Sequence, residues 1–378
     1  MVVAALAVLM AVAAPAIPPP PVIADEFRRS GERGLAAWTP GDVRCGGTGN
    51  SGVTVSGDPL RRPLSTLGWR GANGQRPVTL RFDIDAGGRP ISITREDARF
   101  VPNDDVAPAL AASRFPAGAH SACSVTYSVV VTPFATAAVP DLVSYTVTPI
   151  SGRLPMPGWR RIREGSDCAD APRPQPLVRT LPDFAKLPAT PGMKEWALVA
   201  YDTDAKGKPV NVRVETGTGN KALDAAAVKA MRASRFTGGA RKACSYPYWR
   251  QPEVLAAPPM PDKSAFPAGD NCPAGQGWAS EPVLRFPQAY NRRRIEGWAV
   301  VSYDIALWGA VGNAKVLAAQ PSDDFGRQAL QVIQSAKAAP SEHGRSGCVE
   351  RIRFAIHRDA DGAADGADDA PDPIILGG

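Results

Sequence analysis

Histidine is almost missing from this chain: His120, His343 and His357 are the three in 378 residues. None stands near a plausible serine or cysteine nucleophile in sequence, which leaves hydrolytic catalysis little to stand on. No Cys-x-x-Cys pair occurs, so the usual framework of a structural zinc site is lacking. No Gly-x-x-x-x-Gly-Lys-Ser/Thr loop occurs to cradle a nucleotide phosphate. Asp359, Asp361, Asp365, Asp368 and Asp369 crowd the end of the chain, but without the spacing and terminal glutamate of an EF-hand calcium loop. These absences predict a protein that binds rather than catalyses, with no cofactor and no metal of its own.

What the chain does have is repetition. Residues 196–201 and 210–214 are apolar and β-branched, and Asp202-Thr203-Asp204-Ala205-Lys206-Gly207-Lys208-Pro209 between them has the composition of a tight turn, which predicts a β-hairpin. From Asn220 the period changes. Leu223, Ala226, Ala227, Ala230 and Met231 make a helical stripe behind an asparagine able to cap it, followed by Ser234-Arg235-Phe236 and Cys244. Upstream, residues 78–82, Asp83-Ile84-Asp85-Ala86-Gly87-Gly88-Arg89-Pro90 and residues 91–93 repeat the hairpin, and residues 109–112 lead into Ser113-Arg114-Phe115 and Cys123. Pro108 makes the helix there irregular, tolerable where Asp104 or Asp105 caps it. Downstream, residues 298–304 restate residues 196–202, and Phe325, Ala329, Val332, Ile333 and Ala336 form a stripe behind Ser322. The third unit departs in its turn, Ile305-Ala306-Leu307-Trp308-Gly309, and in Ser335-Ala336-Lys337 where the others read Ser-Arg-Phe. The paired carboxylates Asp83/Asp85 and Asp202/Asp204 lie in the predicted turns, where aspartate bonds its own backbone.

The six cysteines follow the same period. Cys45 to Cys123 is 78 residues, and Cys168 to Cys244 and Cys272 to Cys348 are 76 each. Equal brackets around three small units predict one disulfide per unit, in an exported protein. Closing loops of this size stabilises by ~4 kcal/mol in the chain-entropy account.

Phe286-Pro287-Gln288-Ala289, Arg292-Arg293-Arg294-Ile295-Glu296-Gly297-Trp298 and residues 300–304 resemble the start, basic helix, glycine and first long strand of the TonB C-terminal domain family. Asp224-Ala225-Ala226, Ala230 and Ser234-Arg235-Phe236 resemble its second helix and the Arg-Phe that follows. The second unit lacks the basic first helix and the third lacks the Arg-Phe. The resemblance implies three divergent tandem copies, at residues 45–133, 168–250 and 272–357. The fold class is α+β, each copy a small antiparallel sheet with a packed helix. It also implies that an extended peptide, such as one from an outer-membrane receptor, is taken beside the terminal strand, coupling inner-membrane energy to outer-membrane transport.

In the third unit that strand is residues 349–356, whose charged and apolar residues alternate. Val349, Arg351, Arg353 and Ala355 on it, with Arg292, Arg293 and Arg294, are the candidate partner-binding residues, at a sheet edge open to β-augmentation. Residues 133–160 and 245–271 are rich in proline and read as connectors, with a strand possible at residues 142–147. Residues 1–16 are apolar and uncharged, and with the prolines to residue 24 they read as a secretory signal or a weak membrane anchor, placing the protein in the periplasm. Residues 358–378 hold six aspartates and one arginine, net −5, and read as a disordered tail, which leaves +11 on the rest of a chain whose total is +6. That basic surface supports a second reading, a structural or cell-wall-associated module binding an anionic polymer; nucleic acid is not expected as a partner.

Overall fold

Each hairpin turn is organised by an aspartate or a glycine. Asp85 Oδ1 accepts the N–H groups of Gly87 and Arg89 at 2.9 and 2.8 Å, and Asp204 Oδ1 accepts those of Lys206 and Lys208 at 2.9 Å each. These carboxylates are occupied by backbone donors. The third turn has no aspartate and is closed by Ala306 N–H to Ala310 O and Gly309 N–H to Ala306 O. Gly309 has φ +86°, and a Cβ there would sit 2.0 Å from Ala338 O. Gly309→Ala is therefore expected to cost at least ~1–2 kcal/mol from the left-handed backbone alone, with the clash in addition. A lowered midpoint in chemical denaturation checks this.

The computed structural model describes residues 33–46, 53–55, 60–69, 76–97, 105–269, 271–272, 278–280 and 282–356. The proposed signal or anchor, Asp104, His357 and the acidic tail lie outside the described residues. In chain order the first unit runs β1 (Arg33–Pro40), β2 (Arg44–Cys45), β3 (Val53–Thr54), β4 (Thr66–Trp69), β5 (Val78–Ile84), β6 (Pro90–Arg95), α1 (Val106–Ala111) and β7 (His120–Pro133). Two helices follow, α2 (Val139–Val147) and α3 (Met156–Ile162). The second unit is β8 (Pro176–Val178), β9 (Glu195–Thr203), β10 (Pro209–Gly217), α4 (Lys221–Ala233), β11 (Arg235–Phe236) and β12 (Arg241–Arg250). The third is β13 (Trp278–Ser280), α5 (Gln288–Arg292), β14 (Gly297–Ile305), β15 (Val311–Gln320), α6 (Asp323–Ser335), β16 (Lys337–Ala338) and β17 (Arg345–Phe354).

The protein is thus a mixture of helices and small antiparallel sheets. Three sheet segments share one order, β6-β5-β7, β10-β9-β12 and β15-β14-β17, with the terminal strand against the first hairpin strand. Asn220 caps α4 by accepting Leu223 N–H, and Leu223, Ala227, Ala230 and Met231 turn inward. Ser322 caps α6, whose Phe325, Ala329, Val332 and Ile333 are buried. In α1 the N-cap residue is Asp105, but its carboxylate does not cap the helix as expected; it accepts Leu64 N–H at 2.7 Å and meets Arg293.

The connectors need correction too. Residues 142–147 belong to helix α2 and form no strand. The prolines that argued against helix, Pro140 and Pro157, stand in the first turns of α2 and α3, where no intrahelical N–H is lost. Residues 245–250 continue β12, with Pro247 inside it.

The first and third units share one core: Leu80, Ile93, Leu110 and Tyr127 belong to the same buried cluster as Tyr290, Ala299, Phe325 and Phe354. At their seam Ile93 N–H meets Pro321 O at 2.9 Å, and Ser92 N–H meets Gln320 Oε1 at 2.8 Å. The second unit has its own core around Val199, Leu223, Met231 and Tyr248. Helix α2 joins it to the first, Leu142 and Tyr145 packing with Leu35 and Phe134, Val143 and Val147 with Trp196 and Leu198.

Candidate strand-edge binding site

The start of each terminal strand is fixed in the same way. Disulfides join Cys45 to Cys123, Cys168 to Cys244 and Cys272 to Cys348, with Cα separations of 3.8, 5.4 and 5.4 Å. Opposite the second cysteine of each pair stand Phe82, Tyr201 and Tyr303. The next residue, Asp83, Asp202 or Asp304, accepts the N–H of Ala122, Ala243 or Gly347 at 2.8 to 2.9 Å. Those three acceptor-bound residues all have positive φ, so the aspartate holds a left-handed kink where the strand begins. The Asn211 amide and the Ala243 N–H hold the Asp202 carboxyl below the usual carboxylate range, and Asn313 and Gly347 do the same for Asp304.

Phe115 stacks on Phe82 and Phe236 on Tyr201, with centroids 6.0 and 5.4 Å apart. In the third unit Trp278 takes that place, 6.0 Å from Tyr303, reaching in from β13. Gly88, Gly207 and Gly309 abut the carbonyls of Phe115, Phe236 and Ala338. The third unit's equivalent of Ser-Arg-Phe is therefore Ala336-Lys337-Ala338, one residue beyond the segment expected. In the first two units the serine accepts a backbone N–H, Arg61 to Ser113 Oγ and Thr180 to Ser234 Oγ. The third unit has Ala336 where the hydroxyl would be and Pro282 where the donor would be, so acceptor and donor are lost together.

The outer edges of the terminal strands differ. In the first unit β1 pairs antiparallel with β7 from Gly34↔Pro133 to Pro40↔Tyr127, Gly41 N–H continues to Thr126 O at 2.8 Å, and Arg44 lies opposite Ser124. That edge is filled by the chain's own leading segment. In the second unit the residue three beyond the cysteine is Pro247, regularly paired on β9, whose ring nitrogen offers no donor outward. In the third unit the leading segment makes its backbone hydrogen bond at the strand's start, Gly269 N–H to Gly347 O at 2.9 Å, and meets the strand again through a side chain, the Arg351 guanidinium donating to Pro261 O. Beyond it, among the described residues, no strand pairs with the side of β17 away from β14. Arg351 stands at the position of Pro247, opposite Val300 as Pro247 is opposite Leu198, so its N–H faces away from the ladder. By the alternation of an antiparallel pair, Val349 and Arg353 present their backbone outward too.

Beside this edge runs a groove of about 330 Å³ lined by Trp278, Pro282, Leu284, Val332, Ile333, Glu350 and Ile352. Burial pushes the Glu350 carboxyl up. Burial, then Glu350, pushes the Tyr303 hydroxyl up to about 12, and that hydroxyl is buried without a hydrogen-bond partner among the described residues.

Residues 282–356 match the family of the Gram-negative bacterial TonB protein C-terminal. The TonB C-terminal match spans the third unit, and the first two units lie outside it. No curated protein matches the chain. Among the described residues no helix is long and apolar enough to cross a membrane, and no group of three or more histidine, cysteine, aspartate or glutamate residues is placed to hold a metal.

Of the candidate residues in the TonB C-terminal unit, Val349, Arg351 and Arg353 lie on β17, and Ala355 follows it, exposed. The three arginines are not a common face. Arg293 is 6% exposed and is closed in the interior, its Nε 2.8 Å from Asp105 Oδ1, its Nη2 2.5 Å from Asp105 Oδ2 and its Nη1 3.2 Å from Gly192 O. It also donates to Arg62 O at 2.9 Å. Arg293 thus binds the first unit and the lead of the second, and is corrected from partner-binding to structural. Arg294 turns with φ +54°, its carbonyl accepting Leu255 N–H. Leu284 and Glu350 went unassigned in the sequence, and Val332 was read only as part of the helical stripe; the one signal for Glu350 is that it falls in step with Cys348, Ile352 and Phe354, on the apolar side of the strand.

Proposed function

We propose that the chain is a periplasmic, non-enzymatic binding protein made of three copies of a TonB C-terminal-like unit, of which the third takes an extended peptide along the outer edge of β17. The observation that carries this reading is the difference between the three edges: filled by β1 in the first unit, interrupted by Pro247 in the second, and in the third, among the described residues, without a strand on its outer side over residues 349–354. The first unit supplies an internal example of a segment lying on a terminal strand. Backbone donors and acceptors on an open strand are the chemistry of β-augmentation. The family match at residues 282–356 supports a partner from the outer membrane, in the manner of TonB, and a part in energy-coupled transport.

The test uses the full chain and synthetic peptides copying the N-terminal segments of outer-membrane receptors from the same cell. Binding is expected to fall about tenfold or more in Arg351→Pro, which removes an outward N–H, and to change little at ~0.5 M salt. Binding that survives Arg351→Pro and disappears in salt would favour the basic surface and an anionic polymer instead.

A further inference from the structure

The groove beside β17 differs chemically from its counterparts. Two residues beyond the cysteine the three terminal strands carry Val125, Tyr246 and Glu350. In the first unit Leu60 packs on the core that contains Val125, and the site is apolar. In the second unit Arg179, two residues beyond the middle of β8 and one before Thr180, lies over the Tyr246 ring at 5.0 Å, with Nη1 3.5 Å from its hydroxyl. A guanidinium therefore occupies this position on one unit already. The equivalent place in the third unit's sequence is Glu281, which lies outside the described residues and brings no cation.

The third unit is left with an apolar groove carrying a carboxylate on one wall. Leu284 and Ile352 give it an apolar lining, and Leu284 is 47% exposed. Burial pushes the Glu350 carboxyl up, and Lys263 acts on it as a charge in the opposite direction. The neighbouring Tyr303 hydroxyl lacks a partner among the described residues. An apolar side chain would leave the carboxylate covered and unpaired, which is costly. A long side chain with a cationic end satisfies both parts, since its methylenes can lie on apolar surface while its head meets an anion.

We propose that this groove receives a lysine or arginine side chain of the peptide strand paired to β17, its methylenes on Leu284, Val332 and Ile352 and its charged head at the Glu350 carboxylate. This rests on the strand-pairing reading given above. It sets a sequence requirement on the partner: a basic residue on the face of the strand that turns toward α6, within an otherwise uncharged extended segment.

The experiment titrates the full chain with fluorescently labelled, end-blocked heptapeptides alternating valine and threonine, with lysine, norleucine or glutamate at the centre. Lysine is expected to bind about tenfold tighter than norleucine, the value of a charge-assisted hydrogen bond, with glutamate weakest despite the basic protein. In Glu350→Gln the lysine preference should vanish while the norleucine peptide binds as before. Equal binding of lysine and norleucine to the unaltered chain overturns the proposal, as does a lysine preference that survives Glu350→Gln. If no peptide binds, or if binding is indifferent to Arg351→Pro, the strand-pairing reading fails and the proposal falls with it.

Discussion

Asp105→Ala is expected to destabilise the protein by about 3–5 kcal/mol, because it strands a buried guanidinium. Asp105 and Arg293 are 3% and 6% exposed, and the pair joins all three units, Arg293 of the third meeting Asp105 and Arg62 of the first and Gly192 of the second. The carboxylate also holds Leu64 N–H, so the alanine variant leaves donors from two segments unmatched. The double variant Asp105→Leu with Arg293→Met should recover much of the loss, since replacing both charges by apolar groups removes the desolvation cost along with the attraction. Denaturation midpoints of the single and double variants decide it. A single variant that costs under ~1 kcal/mol would mean that water reaches Arg293 and that the pair is a surface contact in effect.

Removing the Cys168–Cys244 disulfide by a double alanine variant should cost the second unit about 2–5 kcal/mol. This unit has the most to lose. Its core is drawn from its own residues, whereas the first and third units share theirs. A small core leaves little margin, so the loss should appear as local opening and not as general weakening. Hydrogen exchange should rise in β9, β10 and β12 while β5 and β14 keep their protection. Uniform acceleration over the whole chain would show that the second unit is not a separate cooperative body.

The hairpins, the two long helices and the disulfide-bonded cysteines were legible because each appears more than once in the sequence and period-2 and helical patterns agree between copies. Strand β1 was not, since Gly34-Leu35-Ala36-Ala37 is short, weakly patterned and lies before the first cysteine bracket. Helices α2 and α3 were hidden by Pro140 and Pro157, which break a helix everywhere except in its first turn, and sequence alone did not say where that turn began. Arg293 was hidden between two other arginines. It lies just beyond a five-residue helix, too short for a buried face to be read, and its partner is 188 residues away. Strand β17 was legible from its alternation of charged and apolar residues, and its binding edge only as what the family resemblance implied. Its groove was not, since its walls come from four separate segments.

The shared core of the first and third units also dictates an order of assembly. Ser92 and Gln320 meet across 228 residues of chain, with the whole second unit between them. A chain that emerges from its N-terminus can close the second unit's core as soon as β12 is out, but the first unit must wait, with Ile93 and its neighbours uncovered, until β14, β15 and α6 arrive. Contacts so distant form late, and apolar surface exposed in the meantime is where newly made chains associate wrongly. The bond between Cys45 and Cys123, which needs nothing beyond residue 123, can hold the first unit together through that wait.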